Sequence, residues 1–130
     1  MENIGIWLDG NIAYIIANKH IKEVPSNIEH FHPKGGSGTR FKGGPQDVVQ
    51  DSKYLERNKQ QLKKYFASIV DFIKTNATLV IFGPAEIKHK FKKELDENYK
   101  DLSDRVVAVE TTDSMTRNQL IQWVAEFYNN

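Results

Sequence analysis

Cysteine is absent from the chain. Disulfides, thiolate zinc sites and cysteine nucleophiles are therefore excluded. No apolar run approaches the ~20 residues of a membrane-spanning helix, so no membrane contact is expected. The opening stretch, MENIGIWLDG, has neither a basic leader nor a long apolar core, and no secretory signal is read there. The expected location is cytoplasmic, which suits a cysteine-free composition. Strong charge of either sign is also missing. The formal net charge is +1, which argues against a uniformly basic protein while leaving room for local basic patches. The four histidines, His20, His30, His32 and His89, are scattered, and the His30-x-His32 pair by itself does not make a metal site. Ser37 has no evident base. No cofactor is expected.

What is present is ordinary globular material. The chain has 130 residues, 39% hydrophobic and 27% charged, which suits one domain over 1–130 with one core. The run Ile4 to Leu8 reads as a buried strand and Asp9-Gly10-Asn11 as a turn. Ile12 to Ala17 is the antiparallel partner. Asn18-Lys19 supplies the next turn. Ile21 to Phe31 reads as a third strand, interrupted at Pro25 and Asn27.

Residues 32–46, HPKGGSGTRFKGGPQ, differ in kind. They hold five glycines and two prolines, and their charged side chains are Lys34, Arg40 and Lys42, with no acid. This reads as a mobile basic loop. A long helix is expected over 47–74, with Asp47 as its N-cap and Tyr54, Leu55, Leu62, Tyr65, Phe66, Ile69, Val70 and Ile73 at helical spacing. Thr78 to Phe82 is a short strand, and Gly83-Pro84 leads into a helix reaching Asn98. Arg105 to Glu110 is the fifth strand. A last helix is expected from Thr112 or Asp113, with Leu120, Ile121, Val124 and Phe127 on one face. Trp7 and Trp123 are expected in the core.

This order predicts an α/β fold. Its mixed five-stranded sheet would join an antiparallel three-strand meander to two parallel strands, flanked by three helices on both faces. The arrangement is like the ribonuclease H fold.

Several segments together resemble the central domain of archaeal and eukaryotic class-one release factors and its small bacterial homologues. They are Ile6-Trp7-Leu8-Asp9, the loop Pro33 to Phe41, Leu79 to Lys88 with its Gly83-Pro84 turn, and Val109 to Leu120. The likeness spans nearly the whole chain. It implies a translation-associated domain in which the loop before the long helix faces the ribosome, tRNA or another RNA. In release factors that loop carries a Gly-Gly-Gln tripeptide. Here Gly35-Gly36 is followed by Ser37, and Gly43-Gly44 by Pro45, with Gln46 only after it. Proline has no backbone N–H to orient water or hold an oxyanion. The sequence therefore favours a non-enzymatic module over a peptidyl-tRNA hydrolase.

Four sets of residues carry the functional expectations. Lys34, Gly35, Gly36, Arg40, Phe41 and Lys42 form the RNA-binding candidate, with cations for phosphates, glycines for close approach and a ring for stacking. Lys88, one turn into the helix that opens at Pro84, is the anion-binding candidate, with Lys92 one turn further. Asp9, Glu86 and Asp113, at the ends of three strands, are the carboxylates a metal-dependent nuclease would use; each also has a plain role as a turn or cap residue. Finally, a sheet edge or the last helix could mediate self-association or bind another protein.

Overall fold

The structure is a computed structural model that describes residues 2–28, 44–73 and 76–129, with backbone only over 44–55. The first apolar run becomes β1 (Glu2–Leu8), followed by β2 (Ile12–Ala17) and β3 (His20–Pro25). Asp9 makes the first turn. One of its carboxylate oxygens accepts the N–H groups of Asn11 at 2.8 Å and Ile12 at 2.9 Å. Asn18 makes the second turn with φ 61, a conformation that asparagine tolerates.

The third strand stops at Pro25, earlier than the sequence reading placed it. Proline has no N–H to continue a ladder. The chain then turns through Asn27, whose φ is 52. Residues 29–31, which the sequence reading added to this strand, lie outside the described residues.

The long helix α1 spans Gly44–Asp71, 28 residues, or about 42 Å at 1.5 Å per residue. Asp47 is inside it rather than capping it. Pro45 occupies the first turn, where its missing N–H costs nothing. At the other end, Phe72 and Ile73 close tight turns onto the carbonyls of Ile69 and Val70. β4 (Ala77–Gly83) leads to α2 (Ile87–Asn98), a single-turn α3 (Lys100–Ser103), β5 (Val106–Thr111) and α4 (Arg117–Asn129). Two helices start later than expected. Pro84 to Glu86 form a turn ahead of α2. Residues 112–116 stay outside α4, because Thr112 N–H continues onto the Gly83 carbonyl at 3.0 Å and the Asp113 carbonyl accepts the Trp7 indole at 3.3 Å. The true start of α4 is a reciprocal cap. Thr116 Oγ1 accepts the Gln119 N–H at 3.2 Å, and Gln119 Oε1 accepts the Thr116 N–H at 2.9 Å.

The five strands form one sheet in the order β3-β2-β1-β4-β5. β1/β2 and β2/β3 are antiparallel, whereas β1/β4 and β4/β5 are parallel. The fold class read from the sequence is thus the one observed, with α3 added. Alternation along β1 divides the core. Ile4, Ile6 and Leu8 pack with Tyr65, Phe66 and Ile69 of α1 and Phe91 and Leu95 of α2. Trp7 faces the other way and packs with Ile16, Phe82 and Leu120 and Val124 of α4. Trp123 is only half-buried. It stacks on Phe82 at 4.0 Å between ring centres and extends the stack to Phe127. The outer edges are protected differently. β3 carries Lys22, Glu23 and Pro25, and β5 bulges at Val107 between the pairs Leu79↔Val106 and Val80↔Ala108.

Two contacts fix α4 on the sheet. A Cβ at Gly5 would lie 2.3 Å from Val124 Cγ2, so only glycine lets the helix sit this close. Tyr128 Oη lies 2.8 Å from the Ile4 carbonyl and 3.0 Å from the Thr78 carbonyl. Gly5→Val is expected to cost about 1–3 kcal/mol of stability through overpacking, and adding Val124→Ala should recover part of the loss. Denaturant midpoints of the two variants check this, and an unperturbed single variant would refute the packing. Burial pushes the Tyr128 hydroxyl up to about 12 from its ordinary 10. Its proton is bound more tightly in the folded state, so this stabilisation is complete below pH 10 and is lost as pH rises through about 12. Unfolding midpoints across that range should fall less steeply for Tyr128→Phe than for the parent; equal slopes would remove Tyr128 as a source. Burial, and Asp9 nearby, also raise the Tyr65 hydroxyl, so the fall should not vanish in that variant.

Candidate nucleic-acid interface

The three parallel strands β1, β4 and β5 end at one edge, where Asp9, Gly83 and Thr111 lead into turns. The chain leaves β1 toward β2 on one side and returns beside it as β4 on the other. In open α/β sheets such an edge, outside the strand C-termini, is where ligands bind. Gly83 makes the close approach there. Its φ is 154, and a Cβ on it would lie 2.3 Å from the Leu8 carbonyl oxygen. No side chain fits, and β1 and β4 therefore run close together up to the turn.

The carboxylates at this edge have local tasks. Asp9 holds its own turn through Asn11 and Ile12, and its carbonyl accepts the Tyr65 hydroxyl at 3.0 Å. Glu86 is exposed and precedes α2 without a side-chain capping bond. Asp113 is exposed, and its backbone carbonyl serves Trp7. Among the described residues, no group of three His, Cys, Asp or Glu side chains is placed to hold a metal ion.

Lys88 is not at an open helix end. It is 3% exposed, and its ammonium donates to the Ala85 carbonyl at 2.8 Å. The side chain thus folds back onto the turn that starts its own helix and satisfies a carbonyl there. Lys92 does not join it in a shared cationic face. It pairs with Asp96 at 2.6 Å, and Ser103 Oγ lies 3.5 Å from its Nζ. Lys92 and Ser103 both hold the Asp96 carboxyl below its usual range, first through the Lys92 hydrogen bond.

The RNA-binding candidates Lys34, Gly35, Gly36, Arg40, Phe41 and Lys42 lie outside the described residues. The residues on either side of them are placed. Ser26 N–H donates to the Asn11 carbonyl at 2.9 Å, and Ser26 Oγ donates to the Gly10 carbonyl at 2.7 Å and accepts the Ile28 N–H at 3.2 Å. The chain therefore departs from beside the C-terminal end of β1. It returns as α1, which meets the same edge at Tyr65, about 30 Å along the helix from Gly44. Between Glu56 and Lys64 no side chain is buried. Full burial starts at Tyr65 and Phe66, and ahead of them Leu62 packs, half-buried, against the core.

Sequence reasoning missed one feature of this region. A groove of about 530 Å³ runs between α1 and α2. Lys59 and Lys63 line it from α1, Lys90 and Lys93 from α2, over Leu62 and Phe66, together with Gln60, Glu56, Glu94 and Glu97. The spacing of each lysine pair is visible in the sequence. Their meeting is not, because it depends on Phe66 packing against Phe91 at 5.3 Å between ring centres.

No protein-family model matches the chain, and no curated protein matches it. Since Lys88 serves its own turn, Lys88→Met is expected to leave the denaturation midpoint unchanged or raised, as apolar replacement of a buried charge commonly does. A loss of more than about 2 kcal/mol in chemical denaturation would show instead that the fold depends on a partner of this ammonium.

Proposed function

We propose that the protein is a non-enzymatic, translation-associated module that contacts the ribosome, tRNA or another RNA through the basic glycine-rich segment 34–42. The observation that carries this reading is the way the segment is joined to the fold. It departs from residues hydrogen-bonded beside the C-terminal end of β1 and continues into a 28-residue helix whose described side chains become fully buried from Tyr65 on. Lys34, Arg40 and Lys42 carry three positive charges with no acid between them. Phosphates are bound by such cations, and glycines let backbone and phosphate come close.

The resemblance to release-factor central domains supports the same assignment, and the missing tripeptide supports a role without hydrolysis. Gln46 follows Pro45 inside the first turn of α1. A glutamine in a helix whose preceding residue lacks an N–H does not reproduce a glutamine presented behind two glycines. The carboxylates Asp9, Glu86 and Asp113 are engaged in or exposed at turns, which favours a binding role over a nuclease.

Co-sedimentation of the purified protein with ribosomes across a salt series tests the proposal. Binding should weaken steeply as salt rises, and the K34A/R40A/K42A variant should shift the salt slope by about 0.7–0.9 for each lost phosphate contact. Unchanged sedimentation of that variant would sink the loop assignment. Hydrolysis of peptidyl-tRNA, or magnesium-dependent cleavage of RNA abolished by Asp9→Asn, would replace it with an enzymatic one.

A further inference from the structure

We infer that the groove between α1 and α2 is a second contact for the same RNA, in which Lys59, Lys63, Lys90 and Lys93 hold the phosphate backbone. The inference rests on the proposed RNA-binding role and extends it from the 34–42 segment to the body of the fold.

Three observations carry it. First, the four lysines are exposed and unpaired. None of them has an ion pair among the described residues, although carboxylates line the same groove. Lys92, on the same helix as Lys90 and Lys93, is paired with Asp96. On α2, the exposed lysines without an ion pair, Lys90 and Lys93, are the two that line the groove.

Second, like charges are placed together on both walls. Lys59 and Lys63 are four residues apart and Lys90 and Lys93 three apart, spacings at which like charges repel along a helix. A polyanion in the groove would relieve both repulsions together. Three glutamates, Glu56, Glu94 and Glu97, oppose the four lysines there, and the hydrogen bond that Glu94 accepts from Asn98 at 3.0 Å leaves its charge in place.

Third, α1 follows the proposed loop contact directly in the chain and forms one wall of the groove. α1 begins two residues after Lys42, and Lys59 lies about 22 Å along it from Gly44. One RNA strand of a few nucleotides spans such a distance.

The test compares the wild type, K59A/K63A/K90A/K93A and E56Q/E97Q in sedimentation with ribosomes and in binding to total tRNA, each across a salt series. All six positions are exposed, so the variants should fold, and circular dichroism melting checks this. For the lysine variant, affinity at low salt should fall about tenfold or more, with a salt slope shallower by about 3. E56Q/E97Q should bind more tightly than wild type. If the wild type binds and the lysine variant keeps the same affinity and slope, the groove inference is overturned while the loop reading stands. If both variants weaken binding with the slope unchanged, a protein partner of mixed charge occupies the groove, which also overturns it. If the wild type binds neither ribosomes nor tRNA at low salt, the RNA reading falls and takes the groove with it.

Discussion

The structure depends on the parallel pairing of β1 with β4. Six consecutive residues of β1, Glu2 to Trp7, are in register with Ala77 to Phe82. β1 is hydrogen-bonded on its other side to β2, so it has no free edge, and its apolar residues are covered on both faces. This demands an apolar sequence without long side chains at the points of closest approach. Gly5, under Val124, and Gly83, against Leu8, meet that demand. The pairing also requires a long return path, since two parallel strands cannot be joined by a tight turn. The meander, the 29–43 segment and α1 together make that return.

The position of the candidate interface follows from this arrangement. Because β1, β4 and β5 run in the same direction, their three C-terminal turns meet at one edge. Because the return path begins beside Gly10 and Asn11, the chain leaves the sheet toward the basic segment at that edge. α1 reaches this edge at Tyr65 and runs on from there toward the start of β4, with the charged turns of residues 56–64 ahead of that point. Packing of its buried part against Phe91 sets α1 beside α2 and forms the groove. The lysines there are a consequence of where two helices meet, and none of them is needed by the core.

Much of the fold was legible in advance. The meander followed from short apolar runs separated by Asp9-Gly10-Asn11 and Asn18-Lys19, and the parallel pair followed from a strand–helix–strand order. The boundaries that were misplaced have specific causes. Residues 112–116 were read as helix because Thr112 and Asp113 are good caps, but Thr112 is drawn into the sheet by Gly83 and Asp113 is held by Trp7. The Thr116-x-x-Gln119 capping pair was in the sequence and marks the true start. The third strand was extended past Pro25, where the ladder ends for want of an N–H. The site was less legible. Lys88 reads as an open cation at a helix start, and its burial under the strand-to-helix turn has no sequence signature.

By itself the sequence determined what repeats over short distances. The alternation of β1, the helical spacing of α1, the turns and the acid-free basic segment all arise from neighbours within a few residues, where backbone geometry dictates which side chains share a face. Only the tertiary structure decided what depends on residues far apart in the chain. It set Trp7 against Asp113, Tyr128 against Ile4 and Thr78, and Lys59 and Lys63 across from Lys90 and Lys93. Such juxtapositions come from burying several apolar faces at once, and no local period records which face meets which.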